Sequence, residues 1–166
     1  MVRKSDFRID FFAPSSGWLK VHVVSGETHF DQVFSHIPYD SVGELVDGLC
    51  RACLSRSGVE RVQWNAEPDE YIFEFQPIDG TRDLRLTISS LPPKGTLQAE
   101  RQVLIERTMP NGILALVFWR SLRKLEDGFK SIKKSDWNYA FPSAGLAKLE
   151  ILAKQISETP SHKLDI

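Results

Sequence analysis

Residues 59–88 constrain the fold most, because apolar and polar side chains alternate there with the period of half-buried strands. Val62, Trp64 and Ala66 form one such run, Tyr71, Phe73 and Phe75 a second, and Leu84, Leu86 and Ile88 a third. Between the first two, residues 67–70 read as a four-residue loop on a type I turn, with Pro68 where a fixed φ is favourable. Asp79-Gly80 is a two-residue hairpin signal that pairs Phe75 with Leu84, Phe73 with Leu86 and Tyr71 with Ile88. The two turns together predict three apolar rows: Val62 with Phe75 and Leu84, Trp64 with Phe73 and Leu86, Ala66 with Tyr71 and Ile88. On the other face the same register sets Glu74 opposite Arg85, a pair worth roughly 0.2–1 kcal/mol.

The flanking chain supplies more strands and three helices. Phe7, Ile9 and Phe11 alternate with polar residues up to a Pro14-Ser15-Ser16-Gly17 stop. Leu19, Val21 and Val23 line a second strand, Phe30 and Phe34 a third, joined through Gly26-Glu27 as a II′ turn that sets Val23 against Phe30. Pro38 ends that strand. Ser41 with Glu44 is a capping box, and Val42, Leu45, Val46, Leu49, Cys50, Cys53 and Leu54 follow helical spacing up to a Gly58 stop. A strand at about 97–107 is predicted to place Ala99, Val103 and Ile105 inward. Asn111 is the expected N-cap of a second helix with the stripe Leu114, Val117, Phe118, Leu122 and Leu125. Ile113, Leu116 and Trp119 widen its apolar arc, so that helix is either engulfed or presents apolar surface to a partner. Ser143 caps a last helix with Leu146, Leu149, Leu152, Ala153 and Ile156 inward. The order βββ-α-ββββ-αα predicts one α+β domain over residues 1–158, an antiparallel sheet with helices on one face, and a flexible tail at 159–166.

Net charge of −1 over 166 residues creates no field towards nucleic acid or an anionic membrane. Residues 1–119 are net acidic and residues 120–166 net basic. No apolar run reaches the roughly 18 residues that span a bilayer, and the first residues lead into a strand rather than a signal-peptide core. Two cysteines make no disulfide framework. The expectation is a cytoplasmic protein with reduced thiols, no cofactor, and no nucleic-acid or membrane partner.

Candidate chemistry is sparse. Cys50 and Cys53 have the spacing of a redox or metal pair but fall on the apolar stripe of a helix, where free cysteine packs as a small hydrophobe. His22, His29 and Asp31 share the outer face of the second hairpin, with His22 opposite Asp31 or His29. They are either a solvated polar face or a two-His-one-carboxylate metal site. His36 and His162 have no local partner to make either a base. Glu67, Asp69 and Glu70 gather three carboxylates in one turn, suited to an electrostatic contact with a basic partner rather than to acid–base work. Arg120, Arg123, Lys124, Lys130, Lys133 and Lys134 give the second helix and its exit a basic character. Trp64, Trp119 and Trp137 are material for a core or for a pocket between sheet and helices. Trp137 and Tyr139, in a connection between helices, are the aromatics expected to reach the surface as partner anchors. The chain contains no Gly-rich phosphate loop, Walker lysine, nucleophile elbow or HExxH.

The run Trp64-Asn65-Ala66-Glu67-Pro68-Asp69-Glu70-Tyr71, followed by strands and by Trp137-Asn138-Tyr139-Ala140-Phe141-Pro142 before a last helix, resembles a family of small uncharacterised bacterial α+β proteins. In that family a Trp-x-x-Glu-Pro turn sits in a β-meander and a Trp…Phe-Pro element precedes the last helix. The layout is similar to that of immunity proteins, by architecture alone. The resemblance implies no catalytic residue. The expected function is a non-catalytic protein-interaction module, an immunity or regulatory protein, meeting another protein or a second copy through Glu67, Asp69, Glu70, Trp137 and Tyr139. The alternative is a small-molecule-binding domain or enzyme with its pocket between sheet and helices.

Overall fold

A computed structural model describes residues 6–93 and 100–158. Its elements are β1 (Phe7–Phe11), β2 (Trp18–Ser25), β3 (Thr28–Ser35), α1 (Ser41–Leu54), β4 (Glu60–Asn65), β5 (Glu70–Pro77), β6 (Asp83–Leu91), β7 (Gln102–Pro110), α2 (Asn111–Phe129) and α3 (Ser143–Glu158). The fold is α+β; among the described residues seven antiparallel strands run in the order β1-β2-β3-β4-β5-β6-β7. The predictions for Ala99 and for the tail at 159–166 lie outside the described residues.

The sheet is continuous in order but not in strength. β2 and β3 pair along their whole length, whereas β3 and β4 share one residue pair, Ser35 with Asn65. At that seam the inner face of β1–β3 folds over β4 and β5. Phe34 lies 4.8 Å from Trp64 and Phe30 5.5 Å from Tyr71 between ring centroids. Gln32 bridges the gap beyond the seam: its Nε2 donates to Tyr71 Oη at 2.8 Å, and its Oε1 accepts from the Val33 amide at 2.9 Å. Trp64, Phe34, Phe73, Phe75 and Phe118 are the largest side chains fully sealed in the core.

Inward and outward faces fall as the alternation predicts, but both registers in residues 59–88 differ by two. Phe75 faces Leu86, Phe73 faces Ile88, and Val62 faces Phe73. Ile78 N donates to Asp83 O, so four residues, 79–82, form the β5–β6 loop instead of two, because only Gly80 takes a positive φ (+72°) where a I′ turn needs two such residues. Thr81 closes the larger loop, its hydroxyl donating to Ile78 O and accepting from Asp83 N. At the other turn the Glu67–Pro68 bond is cis, so Pro68 stands third in a turn over residues 66–69 instead of second in a type I turn. Glu74 therefore lies opposite Arg61 and Thr87, not Arg85. Its carboxylate pairs with Arg61 at 2.8 Å and with Arg101. The II′ turn at Gly26 (φ +60°) and the Val23–Phe30 pairing match the sequence reading.

Val103 also departs from expectation. A bulge between Ile88 and Ser89 pairs Ser89 with Val103 and leaves Leu104 as the extra residue. That insertion reverses the alternation, so Ile105 is buried while Val103 is 52% exposed.

The helices lie against this sheet in two layers. α1 packs on β4 and β5, α2 on β1, β6 and β7, and α3 over both α1 and α2. Asp40, not Ser41, caps α1, its Oδ1 accepting from Gly43 N at 3.1 Å. Ser41 is buried and donates instead to Gln63 O at 2.6 Å, tying α1 to β4. The helix ends at Leu54, with Ser55 as its C-cap, so Gly58 is beyond its stop. Pro110 occupies the N-cap position of α2, one residue before the expected Asn111. Ser121 of α2 donates to Ile9 O at 2.6 Å, closing part of the β1 edge. With α3 lying over it, α2 keeps Leu116 and Trp119 partly buried against the core. The wide apolar arc is thus covered within the molecule at Leu116 and Trp119, while Ile113 stays 45% exposed at the N-terminal turn of α2. Among the described residues no helix is long and apolar enough to cross a membrane.

Candidate functional site

The end of β3 organises one pole of the molecule. Ser35 pairs with Trp18 on one side and with Asn65 on the other. His36 N donates to Gly17 O at 3.0 Å, in the β1–β2 turn. Ile37 O accepts from Asn65 Nδ2 at 2.7 Å, and Asn65 Oδ1 accepts from Glu67 N at 3.1 Å. Four segments distant in sequence therefore stand in one hydrogen-bonded row: the α2–α3 connection, the β1–β2 turn, the end of β3 and the β4–β5 turn.

The connection joins the row through Asp136. Its Oδ1 accepts from Ser16 N at 2.8 Å, its Oδ2 from Lys133 N at 2.9 Å, and its carbonyl from Gly17 N at 3.0 Å. The two amide bonds to the carboxylate, first Ser16 and then Lys133, hold its pKa below the ordinary Asp value. His36 supplies the second fastening, its Nδ1 accepting from Asn138 N at 3.1 Å. That geometry places the proton of neutral His36 on Nε2. The Trp137 ring packs on His36 at 5.7 Å between centroids. Gly17, at φ +86°, approaches His36 so closely that a Cβ there would stand 2.8 Å from Nε2.

Outside this fastening lies a cleft of about 840 Å3, walled by Phe129, Trp137, Tyr139 and Phe141 and edged by Lys130, Lys133 and Lys134. Phe129 and Phe141 meet edge to face at 5.1 Å. Glu126 also lines it, bonded to Arg123 at 2.9 Å, and Lys130 is bonded to Asp127 at 2.9 Å. Lys133 and Lys134 are exposed and have no carboxylate within ion-pair distance among the described residues. The cleft thus offers an aromatic wall edged by exposed Lys133 and Lys134, the first of them within Coulombic reach of Asp136.

The five residues expected to meet a partner divide on inspection. Glu67 and Asp69 are exposed at the tip of the β4–β5 turn. Glu70 is engaged within the fold: its Oε1 accepts from Tyr39 Oη and its Oε2 from Gln63 Nε2, each at 3.0 Å. Burial, then that bond to Glu70, pushes the Tyr39 hydroxyl pKa up. Tyr139 is half-buried in the cleft wall. Trp137 is 4% exposed, which corrects its expected role as a protruding anchor. Sequence reading gives His36 no local partner, and its role as a fastening is invisible there because Asn138 is 102 residues away. It missed Asp136, Trp18 and Ile37, the last two 37% and 47% exposed between the acidic turn and the basic cleft.

The other candidates resolve into structure. Trp64 is sealed in the core, and Trp119 lies beneath Lys154 Nζ, 5.5 Å from its ring centroid. The cleft therefore sits beside Trp137 at the helix connection, and not between sheet and helices at Trp64. Cys50 is buried and Cys53 half-buried. Burial, then the neighbouring Cys50, pushes the Cys53 thiol up to about 12, the wrong direction for a nucleophilic thiolate. His22 lies opposite Asp31, Nδ1 to Oδ1 at 2.7 Å, and its ring is 5.8 Å from that of His29. Among the described residues no group of three or more His, Cys, Asp or Glu is placed to hold a metal ion. No family model, curated protein or solved structure matches the chain.

Proposed function

We propose that the protein is a non-catalytic protein-interaction module, of the immunity or regulatory kind, that meets its partner with the pole built around the end of β3. The observation that carries this reading is the row itself. Glu67 and Asp69 stand at one extremity, exposed Trp18 and Ile37 in the middle, and Lys133 and Lys134 over an aromatic cleft at the other. A patch with an apolar centre and a charged rim has the anatomy of a specific protein contact. Charges at the rim steer encounter and fix orientation more than they add affinity. Two cysteines without a disulfide agree with a cytoplasmic setting. The net charge of −1 supports a protein partner over nucleic acid.

Affinity capture from source cells tests this. Wild type is compared with W18A/I37A, and with R8E on the outer sheet face as control. A partner retained by wild type and R8E but lost from W18A/I37A is the expected result. Identical captures from all three would end the proposal.

One observation favours a second reading, a small-molecule-binding domain or an enzyme. The cleft, at about 840 Å3, falls within the roughly 300–1,000 Å3 of ligand pockets and carries aromatic walls with polar groups. A ligand there raises Tm in a metabolite screen, and Tyr139→Ala removes the rise. No rise with any compound class removes this reading.

A further inference from the structure

We infer that the β3 pole pairs with the same pole of a second copy of this chain, each acidic turn docking on the other copy's basic cleft. The inference rests on reading this pole as the contact surface and goes on to name its occupant. The row has an order that matters. From one side to the other it runs from the β4–β5 turn, through Ile37 and Trp18, to the connection at 133–139, with Asn65, Ile37, His36, Gly17 and Asp136 linked in turn. Its charges are opposite at the two extremities, and exposed Trp18 and Ile37 flank His36 and Gly17 at its centre. A twofold axis through that centre exchanges the extremities. Glu67 and Asp69 of each copy then face Lys133 and Lys134 of the other, and the two centres meet.

That is the self-complementarity an isologous contact requires, since every patch must face its own image. An unrelated partner needs only one charged end to match. Here both ends are present with opposite sign, and the groups that would spoil the match are already committed. The Asp136 carboxylate, which lies at the basic extremity, has both oxygens on backbone amides. Glu126 is held by Arg123, and Glu70 by Tyr39 and Gln63. Glu67 and Asp69 at one extremity, and Lys134 with Lys133 (which also faces Asp136) at the other, are the exposed charges that a second copy would meet.

Sedimentation equilibrium of the full chain across micromolar concentrations, at low and at high salt, tests the inference. A dimer is expected that weakens at least tenfold at high salt, where exposed charges are screened within a few ångströms. E67K/D69K is expected to be monomeric, because both its extremities are then basic. K133E/K134E is expected to be monomeric with both extremities acidic. Circular dichroism checks that each variant keeps its fold. An equimolar mixture of the two restores the opposite-sign match at both contacts, so a mixed dimer should form. A wild type that stays monomeric, variants that dimerise as wild type does, or a mixture of folded variants that stays monomeric overturns the inference. If wild type is monomeric but W18A/I37A still abolishes capture of another protein, the contact surface stands and only its occupant is wrong.

Discussion

The acidic turn and the basic connection sit at opposite ends of one row, yet the chain builds them in different ways. The β4–β5 turn is held by neighbours: Ala66 N donates to Asp69 O, and Asn65 reaches Glu67 two residues on. The α2–α3 connection has its own local bonds, Lys133 N to the Asp136 carboxylate and Asp136 N to Lys133 O, but it is also pinned from afar. Asp136 is fixed by Ser16, 120 residues away, and Asn138 by His36, 102 residues away. A locally made turn keeps its shape when its surroundings change, whereas a connection pinned by long-range bonds keeps its shape only while the whole pole is assembled. The difference is one of degree: the acidic tip at 66–69 closes on itself and is tied outward at Asn65 to Ile37, whereas the basic connection adds to its Lys133–Asp136 bonds the two distant fastenings to Ser16 and His36.

The sharpest way to break this contrast is Trp137→Ala. Emptying that buried ring site is expected to cost about 3–5 kcal/mol in urea unfolding, and to loosen the connection while the β4–β5 turn keeps its amide protection. Equal loss of protection at both turns would erase the contrast. Asp136→Asn comes next, and its effect should depend on pH. The folded-state pKa of Asp136 is depressed, so its stabilisation is fully present above the ordinary value of 3.8 and is lost as pH falls through the depressed value. Wild type should therefore exceed the variant in urea midpoint at neutral pH, with the gap closing in strong acid. A gap independent of pH would show that the carboxylate charge is not what fastens the connection. Asn65→Ala removes the side-chain bonds to Ile37 O and Glu67 N and is expected to cost about 1–2 kcal/mol. Loss confined to turn residues 66–69 and to Ile37, read by amide exchange, fits a locally built turn; spread to Asn138 does not. The smallest effect belongs to E67K/D69K, within about 0.5 kcal/mol in stability, because both side chains are exposed.

The same contrast explains which parts of the molecule were legible. Alternation reports which face a side chain occupies, so Trp64, Phe73, Phe75, Leu86 and Ile88 were read correctly as core. It does not report the partner across the ladder, because a slip of two preserves every face. The turns decide that, and at Asp79-Gly80 the deciding residue was Thr81, whose hydroxyl closes a longer loop. Val103 was misplaced because a bulge has no signature in the alternation. Ser41 was misassigned as a cap because Asp40 beside it serves equally well and Ser41 has a bond to make with β4. At the site, Glu67 and Asp69 were readable because exposure in a turn is a local property. Trp137 was not, because an aromatic in a connection is buried or exposed according to what another part of the chain places over it.

The single-pair seam between Ser35 and Asn65 bears on how the chain assembles. β1–β3 and β4–β7 are each meanders of sequence neighbours, and short loops close at low entropic cost. Joining them requires contacts such as Phe34 with Trp64, which bring little ladder and much apolar surface. Collapse of the two meanders onto each other, rather than strand extension across the seam, is then the slow event. Phi-values near zero for Ser35 and Asn65, beside intermediate values within each meander, are the kinetic trace this leaves. The junction that joins the acidic turn to the rest of the contact surface would then be the last part of the protein to form.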